Sequence, residues 1–301
     1  MSGNIKKGII FAFITSLVSG VSIFYNKLVL IQGIDPFVLN IIKNGGAAFI
    51  FSFMILFTSQ RSMITKLSLS SWLKLFIIGI IGGSIPFLLY FEGLRLASPV
   101  TANLIHKTMF IWVALVAVPF MGEKLNFLQV VGYLLVILSN FFIGGFTGFT
   151  GGRGEMLIFL ATILWSAESI IVKITIPDIN YKIIAWARMF LGSIILLMIA
   201  AIQHKSSLLI NISPSVFLPL TGSIILLTFY LITWFKALKY APVTLATSIF
   251  VLATVITNIL TAIFINHSLS GLPAVNTMLI AFGVTLIASA GINKTHKFIG
   301  K

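Results

Sequence analysis

Apolar runs of about twenty residues follow one another along almost the whole chain, and short polar breaks separate them. Each run matches the roughly 20 residues that a helix needs to cross the hydrocarbon of a bilayer. Only 9% of the residues are charged, whereas a soluble domain carries about a quarter. The pattern predicts an all-α polytopic membrane protein with ten transmembrane helices, at about 8–31, 36–58, 71–94, 99–120, 126–146, 155–175, 181–203, 215–238, 242–264 and 272–292.

The basic residues predict the orientation of the chain. The formal net charge is +14, yet the lysines and arginines stand singly between apolar runs, which disfavours nucleic-acid binding. Twelve of them lie on the side of the membrane that holds the N-terminus, against three on the other side, Arg95, Arg153 and Lys205. Because cytoplasmic loops carry an excess of Lys and Arg, we expect both termini in the cytoplasm and the chain in a bacterial-type inner membrane.

Two further features limit the function classes. The chain has no cysteine, which excludes a disulfide framework, an iron–sulfur site and a thiol nucleophile. The first apolar run is too long for the core of a signal peptide, so we expect it to remain as the first span.

Two short stretches nearly copy each other. Residues 90–101 and 234–244 share Phe, Leu, Ala, Pro, Val and Thr in register once Ser98 is left out, and Arg95 answers Lys239. An odd number of predicted spans separates the copies, so they lie on opposite faces of the bilayer. A duplicated and inverted half is the arrangement from which alternating-access carriers are built. We therefore predict two inverted five-helix repeats, with boundaries at 1–148 and 149–301.

Basic residues and a shared proline motif extend the repeat. The related positions are Lys27 with Lys173, Lys43 with Arg188, and Ala97 to Val100 with Ala241 to Val243. With these motifs the chain resembles the EamA branch of the drug/metabolite transporter superfamily over nearly its whole length. The resemblance implies a central cavity walled mainly by the first, third, fourth, sixth, eighth and ninth helices. It also implies transport of a small metabolite without specifying which one.

Glu168 is the one carboxylate that lies deep in a predicted span, roughly 20 Å from the outer face at 1.5 Å per residue. A charge at the bilayer centre costs on the order of 2.5–3.5 kcal/mol, so we expect Glu168 to face water or a partner. It fits a proton-coupling group, a contact for a cationic substrate, or a structural ion pair. Lys107 lies about 8 Å shallower by the same arithmetic, and a Lys107–Glu168 pair across the repeats would neutralise both charges.

Other polar and aromatic residues are candidates for the pathway. Asn103, His106 and Lys107 share one helix face, and His106 fits either a proton relay or an interhelical hydrogen bond. Three aromatic side chains are expected near the cavity: Tyr25, Trp165 and Tyr230. The repeated basic residues lie near predicted span ends, which favours anchoring by snorkelling.

The glycines and a proline indicate how the third span packs. Gly79 and Gly83 are expected to let neighbouring helices approach closely. Pro86 is expected to kink the span.

We predict a secondary active transporter of a small polar or amphipathic metabolite, coupled to protons through Glu168. Its expected partners are that solute, the lipid bilayer and protons, with a homodimer left open and with no nucleic acid, cofactor or metal. Neither a metalloprotease motif nor a nucleotide-binding loop occurs, so we expect no enzymatic activity. The alternatives are an intramembrane enzyme acting on a lipid or isoprenoid, and a non-transporting membrane scaffold.

Overall fold

The computed structural model describes residues 2–58, 60–97, 102, 105–144, 151–205, 207–210, 214–267 and 271–297, and these are helical with no strand among them. Twelve helices carry the fold: α1 Ser2–Ile31, α2 Pro36–Leu56, α3 Leu69–Gly83, α4 Ile85–Leu96, α5 Met109–Met121, α6 Phe127–Gly144, α7 Arg153–Thr175, α8 Tyr181–Ile202, α9 Phe217–Tyr240, α10 Val243–Phe250, α11 Leu252–Thr261 and α12 Leu272–Lys297.

Within the described ranges, eight helices are long and apolar enough to cross a membrane. Two shorter apolar stretches, Ile105–Met121 and Phe127–Ser139, stand where the fourth and fifth spans are predicted. The chain is therefore a multi-pass membrane protein, as predicted, while the count of ten spans stays a prediction. The predicted boundary between the repeats, at 148 and 149, lies outside the described residues.

The third span is broken in its middle. Ser84 leaves helical geometry, with φ −136° and ψ −74°, between the end of α3 and the start of α4. Pro86 has no amide hydrogen and stands in the first turn of α4, where none is needed. Two carbonyls at the break are satisfied from neighbouring helices, because Asn44 Nδ2 donates to Gly83 O at 3.0 Å and Trp165 Nε1 donates to Gly82 O at 3.3 Å. The predicted kink is confirmed.

The fourth and ninth spans are interrupted at equivalent positions of the two repeats. A turn at Thr108 separates helical residues 105–107 from α5, and Val251 separates α10 from α11. Thr108 and Val251 each stand nine residues after the proline that begins the predicted span. Matched interruptions of this kind mark the substrate site in many transporters built from repeats.

The helices of the two halves interleave. Helix α6 packs on α12, and α2 packs on α8, so these helices meet their own counterparts in the other half. Helix α1 packs on α9, and α4 correspondingly packs on α7. This exchange of partners is the pattern that a pseudo-twofold axis between two repeats produces.

Glycines allow the closest crossings. A Cβ on Gly83 would lie 2.1 Å from Arg188 O on α8, and one on Gly79 would lie 2.7 Å from Leu191 Cβ. The expectation that Gly79 and Gly83 permit close approach is therefore confirmed. The same crossing brings α8 against the broken third span, which places Arg188 at the centre of the fold.

Candidate substrate cavity

A cavity of about 240 Å³ lies among the interrupted helices. Its walls come from both halves of the chain: α1, α2, α4 and the fourth span from the first half, and α7 to α11 from the second. The α1 residues that line it, from Ser19 to Asn26, belong to the half of that helix farther from the N-terminus. The cavity therefore occupies the middle of the helical bundle and extends toward the face opposite the N-terminus.

Glu168 and Arg188 form an ion pair in the wall of this cavity. Arg188 Nε lies 3.1 Å from Glu168 Oε1, and the two side chains are only 6% and 3% exposed. Neither of these two atoms has a hydrogen bond to a described residue, and Arg188 Nη1 also has none. The attraction is therefore Coulombic rather than a directed hydrogen bond. The predicted Lys107–Glu168 pair is wrong because α8, not the fourth span, supplies the partner of Glu168.

Gly82 makes room for this pair. A Cβ at Gly82 would lie 2.7 Å from Glu168 Cγ and 2.8 Å from Arg188 Nε. Trp165, one turn before Glu168, is held by the carbonyl of the same glycine. The break in the third span thus positions both a charged and an aromatic wall of the cavity.

Two lysines line the cavity without a partner. Lys43 and Lys107 are each only 8% exposed, and both belong to the cavity wall. No hydrogen bond or ion pair joins either side chain to another described residue. The expectation that Lys43 and Arg188 snorkel to a membrane surface is wrong, since both side chains turn inward between packed helices.

Aromatic side chains surround His106. The ring of Trp165 lies 4.9 Å and that of Tyr90 lies 5.5 Å from the imidazole, both edge to face. His106 Nδ1 is buried without a hydrogen bond to any described residue. On the other side of the cavity, Tyr230 and Trp234 both contact the ring of Phe250. The expected placement of Trp165, His106 and Tyr230 beside one cavity agrees with this geometry.

Two other candidates do not join this group. Tyr25 packs beside Val29 and Leu39, with its hydroxyl against Gly222 of α9, and it does not line the cavity. Its place as a cavity-lining residue stays a prediction that this geometry does not support, since the hydroxyl lies against α9. Asn103 lies outside the described residues.

The family of the chain follows from comparison with known proteins. The model of the EamA-like transporter family matches residues 6–145 and 152–289. The chain belongs to the EamA-like transporter family. A solved structure described only as the crystal structure of a protein is 17% identical, with a TM-score of 0.75, over 95% of this chain and 98% of that one. This likeness bears on the fold alone. A search of curated proteins gives no match.

The wall of this EamA-like cavity differs from the one that the sequence resemblance implied. The expected first, third, fourth, sixth, eighth and ninth spans all contribute. The second and seventh contribute as well, and they bring Asn40, Lys43 and Arg188. The repetition of a basic residue early in both spans was the sequence signal for these side chains.

Polar contacts join helix ends on the N-terminal side of the cavity. Glu123, just after α5, accepts hydrogen bonds from Val243 N at 2.7 Å and Thr244 N at 3.0 Å, at the start of α10. Lys173 Nζ donates to Leu238 O and Ala241 O, each at 2.5 Å, at the end of α9. Glu123 and Lys173 thus bind the two sides of the α9–α10 junction. The carboxylate binds free amides at the start of α10, and the ammonium group binds free carbonyls at the end of α9.

The corresponding contact is absent from the described residues of the first half. Lys27, the repeat counterpart of Lys173, is exposed to the surroundings. The two lysines therefore differ in their surroundings: Lys173 binds a helix junction, and Lys27 is exposed.

Proposed function

We propose that the protein is a secondary active carrier of a small metabolite, working by alternating access in a cytoplasmic membrane with both termini inside. The observation that carries the proposal is the cavity between the two halves, beside matched interruptions in the fourth and ninth spans. Water-lined irregular backbone at membrane depth is tolerated where it borders a cavity. The EamA-like family is a family of transporters, and this supports transport rather than catalysis.

The different arrangements of Lys173 and Lys27 support alternating access. In the described state Lys173 donates hydrogen bonds to the α9–α10 junction, while Lys27 is exposed. Exchange of these arrangements between inverted repeats would open the N-terminal side and close the other. Each lysine would then bind its junction in one of the two states only.

Proton coupling is proposed at Glu168. It is the single carboxylate among the described residues that line the cavity. Protonation of Glu168 would leave Arg188 without its counter-charge, so the net charge of the cavity wall, and with it the binding of a charged solute, would depend on the proton. A cavity of this size holds roughly eight waters at about 30 Å³ each, so it suits a small solute rather than a lipid chain.

Transport by reconstituted protein tests the proposal. Proteoliposomes with an imposed pH gradient are assayed with labelled organic acids, amino acids and nucleosides. We expect at least one solute to accumulate, and Glu168→Gln to abolish accumulation while exchange of solute at equal pH continues. Asp178→Asn is the matched control, because that carboxylate is 62% exposed and pairs with Lys74 outside the cavity.

Two results would contradict the proposal. If no solute of the panel moves, the carrier function is wrong. If Glu168→Gln accumulates solute as the unaltered protein does, the coupling role is wrong.

A further inference from the structure

The positive and negative charges of the side chains that line the cavity are not equal in number. The cavity wall contains three basic side chains, Lys43, Lys107 and Arg188, and a single carboxylate, Glu168. Glu168 already forms an ion pair with Arg188. With the lysines charged, the described wall carries two positive charges in excess. Unpaired charges are costly at membrane depth, and they normally face a partner or a pathway. The missing counter-charges are therefore expected from something that enters the cavity.

Other polar groups of the wall do not replace a counter-charge. Asn26 and Asn40 line the same cavity, and their amide oxygens have no hydrogen bond to a described residue. They accept hydrogen bonds but are neutral, so they leave the excess charge in place. His106 adds no negative charge either, since an imidazole is neutral or positive.

We infer that the transported solute is a small organic anion, whose carboxylate or phosphate group binds Lys43 and Lys107. This inference rests on the proposed carrier function and specifies its substrate class. It reverses the interpretation of Glu168 as a contact for a cationic solute, because Arg188 lies 3.1 Å from that carboxylate. The lysines come from the second and fourth spans, both in the first half, so the anion site is asymmetric between the repeats.

The remainder of the solute is expected to be apolar and flat. The rings of Tyr90, Trp165 and Phe87 line the same cavity as Lys107, and the last two meet edge to face at 5.3 Å. Aromatic walls favour offset or edge-to-face contact with another ring. A carboxylate or phosphate on a single ring therefore matches both the charge and the lining of a cavity of about 240 Å³.

Equilibrium dialysis of the purified protein in nanodiscs tests the inference with labelled benzoate. Phenyl phosphate, benzylammonium and benzyl alcohol serve as competitors of similar size but different charge. We expect saturable benzoate binding, displaced by unlabelled benzoate or phenyl phosphate, with the stronger competitor identifying the preferred anion. Benzylammonium and benzyl alcohol are expected to compete at least about tenfold more weakly, since neither offers the lysines an anionic acceptor.

Variants locate the binding site. Lys43→Gln and Lys107→Gln are each expected to weaken benzoate binding by on the order of tenfold or more, as expected for loss of one charge-assisted contact. Lys66→Gln, an exposed lysine between the second and third spans, is the matched control and should bind as the unaltered protein does. Thermal unfolding of each variant shows whether it is folded.

The inference is overturned if neither anion binds saturably, if benzylammonium competes as well as benzoate, or if both lysine variants keep full affinity. These outcomes are separate from failure of the carrier function. If proteoliposomes move a cationic or neutral solute and the lysine substitutions do not affect this transport, the proposed carrier function stands and the anionic substrate is refuted. Saturable, lysine-dependent benzoate binding without movement of any solute would support the anion site and refute the carrier function.

Discussion

The Glu168–Arg188 pair predicts a large coupling energy in a double-mutant cycle. At 3.1 Å, two unit charges in an effective dielectric of about 20 attract by roughly 5 kcal/mol. Removing one partner leaves the other charge buried, and such changes cost about 3–5 kcal/mol. We therefore expect Glu168→Gln and Arg188→Gln each to destabilise the protein by that amount. The double variant should lose much less than the sum, because no uncompensated charge remains from the pair.

A second ion pair of the same chain is the control. Lys74 Nζ lies 3.3 Å from Asp178 Oδ2, nearly the same separation, but the side chains are 36% and 62% exposed. Water screens such a pair, and exposed pairs contribute about 0.2–1 kcal/mol. The cycle of Lys74→Gln and Asp178→Asn should accordingly give a coupling energy below about 1 kcal/mol.

Reversible unfolding in mixed detergent micelles measures both cycles. The expected result is a coupling energy several-fold larger for the buried pair than for the exposed one. Additive effects of Glu168→Gln and Arg188→Gln would refute the reasoning, because they would mean that the two charges are neutralised independently by water. Equal coupling in both cycles would refute the role assigned to burial.

Two further predictions concern the surroundings of the pair and the closed side. Gly82→Ala should separate Glu168 from Arg188, because the added Cβ would lie 2.7 Å from Glu168 Cγ and 2.8 Å from Arg188 Nε. Overpacking of this kind lowers the free energy of unfolding by about 1–3 kcal/mol. An unfolding curve like that of the unaltered protein would contradict the steric argument. Lys173→Gln should loosen the α9–α10 junction and raise the rate at which maleimide labels Ala237→Cys, a fully buried position in a chain without other cysteines. Lys66→Gln is the control for the labelling experiment, and an unchanged rate in Lys173→Gln would refute the closing role.

Some features could be predicted from the sequence because they depend only on the order of residues along the chain. Helix length and apolarity follow from composition along a run, so the membrane class and eight of the spans were predictable. The kink at Pro86 follows from a missing amide hydrogen. The depth of Glu168 follows from the rise per residue of a helix.

The partner of Glu168 depends on how the helices pack against one another in three dimensions. Depth along a helix axis says nothing about the direction in which a side chain points or about which helix lies beside it. By depth alone Lys107 is close to Glu168, yet the close crossing of α3 and α8 at Gly83 brings Arg188 to the carboxylate instead. Tyr25 illustrates the same limit, since its hydroxyl lies against Gly222 of α9 and not in the cavity wall.

The sequence by itself determined that this chain spans a membrane many times, that its two halves are related, and that one buried carboxylate must find a partner. Only the tertiary structure decided which charges meet and which remain unpaired. The physical reason is that apolar patterning specifies which residues leave water, whereas small side chains at helix crossings set the rotation and spacing of the helices. Those crossings pair Glu168 with Arg188 and leave Lys43 and Lys107 facing the cavity.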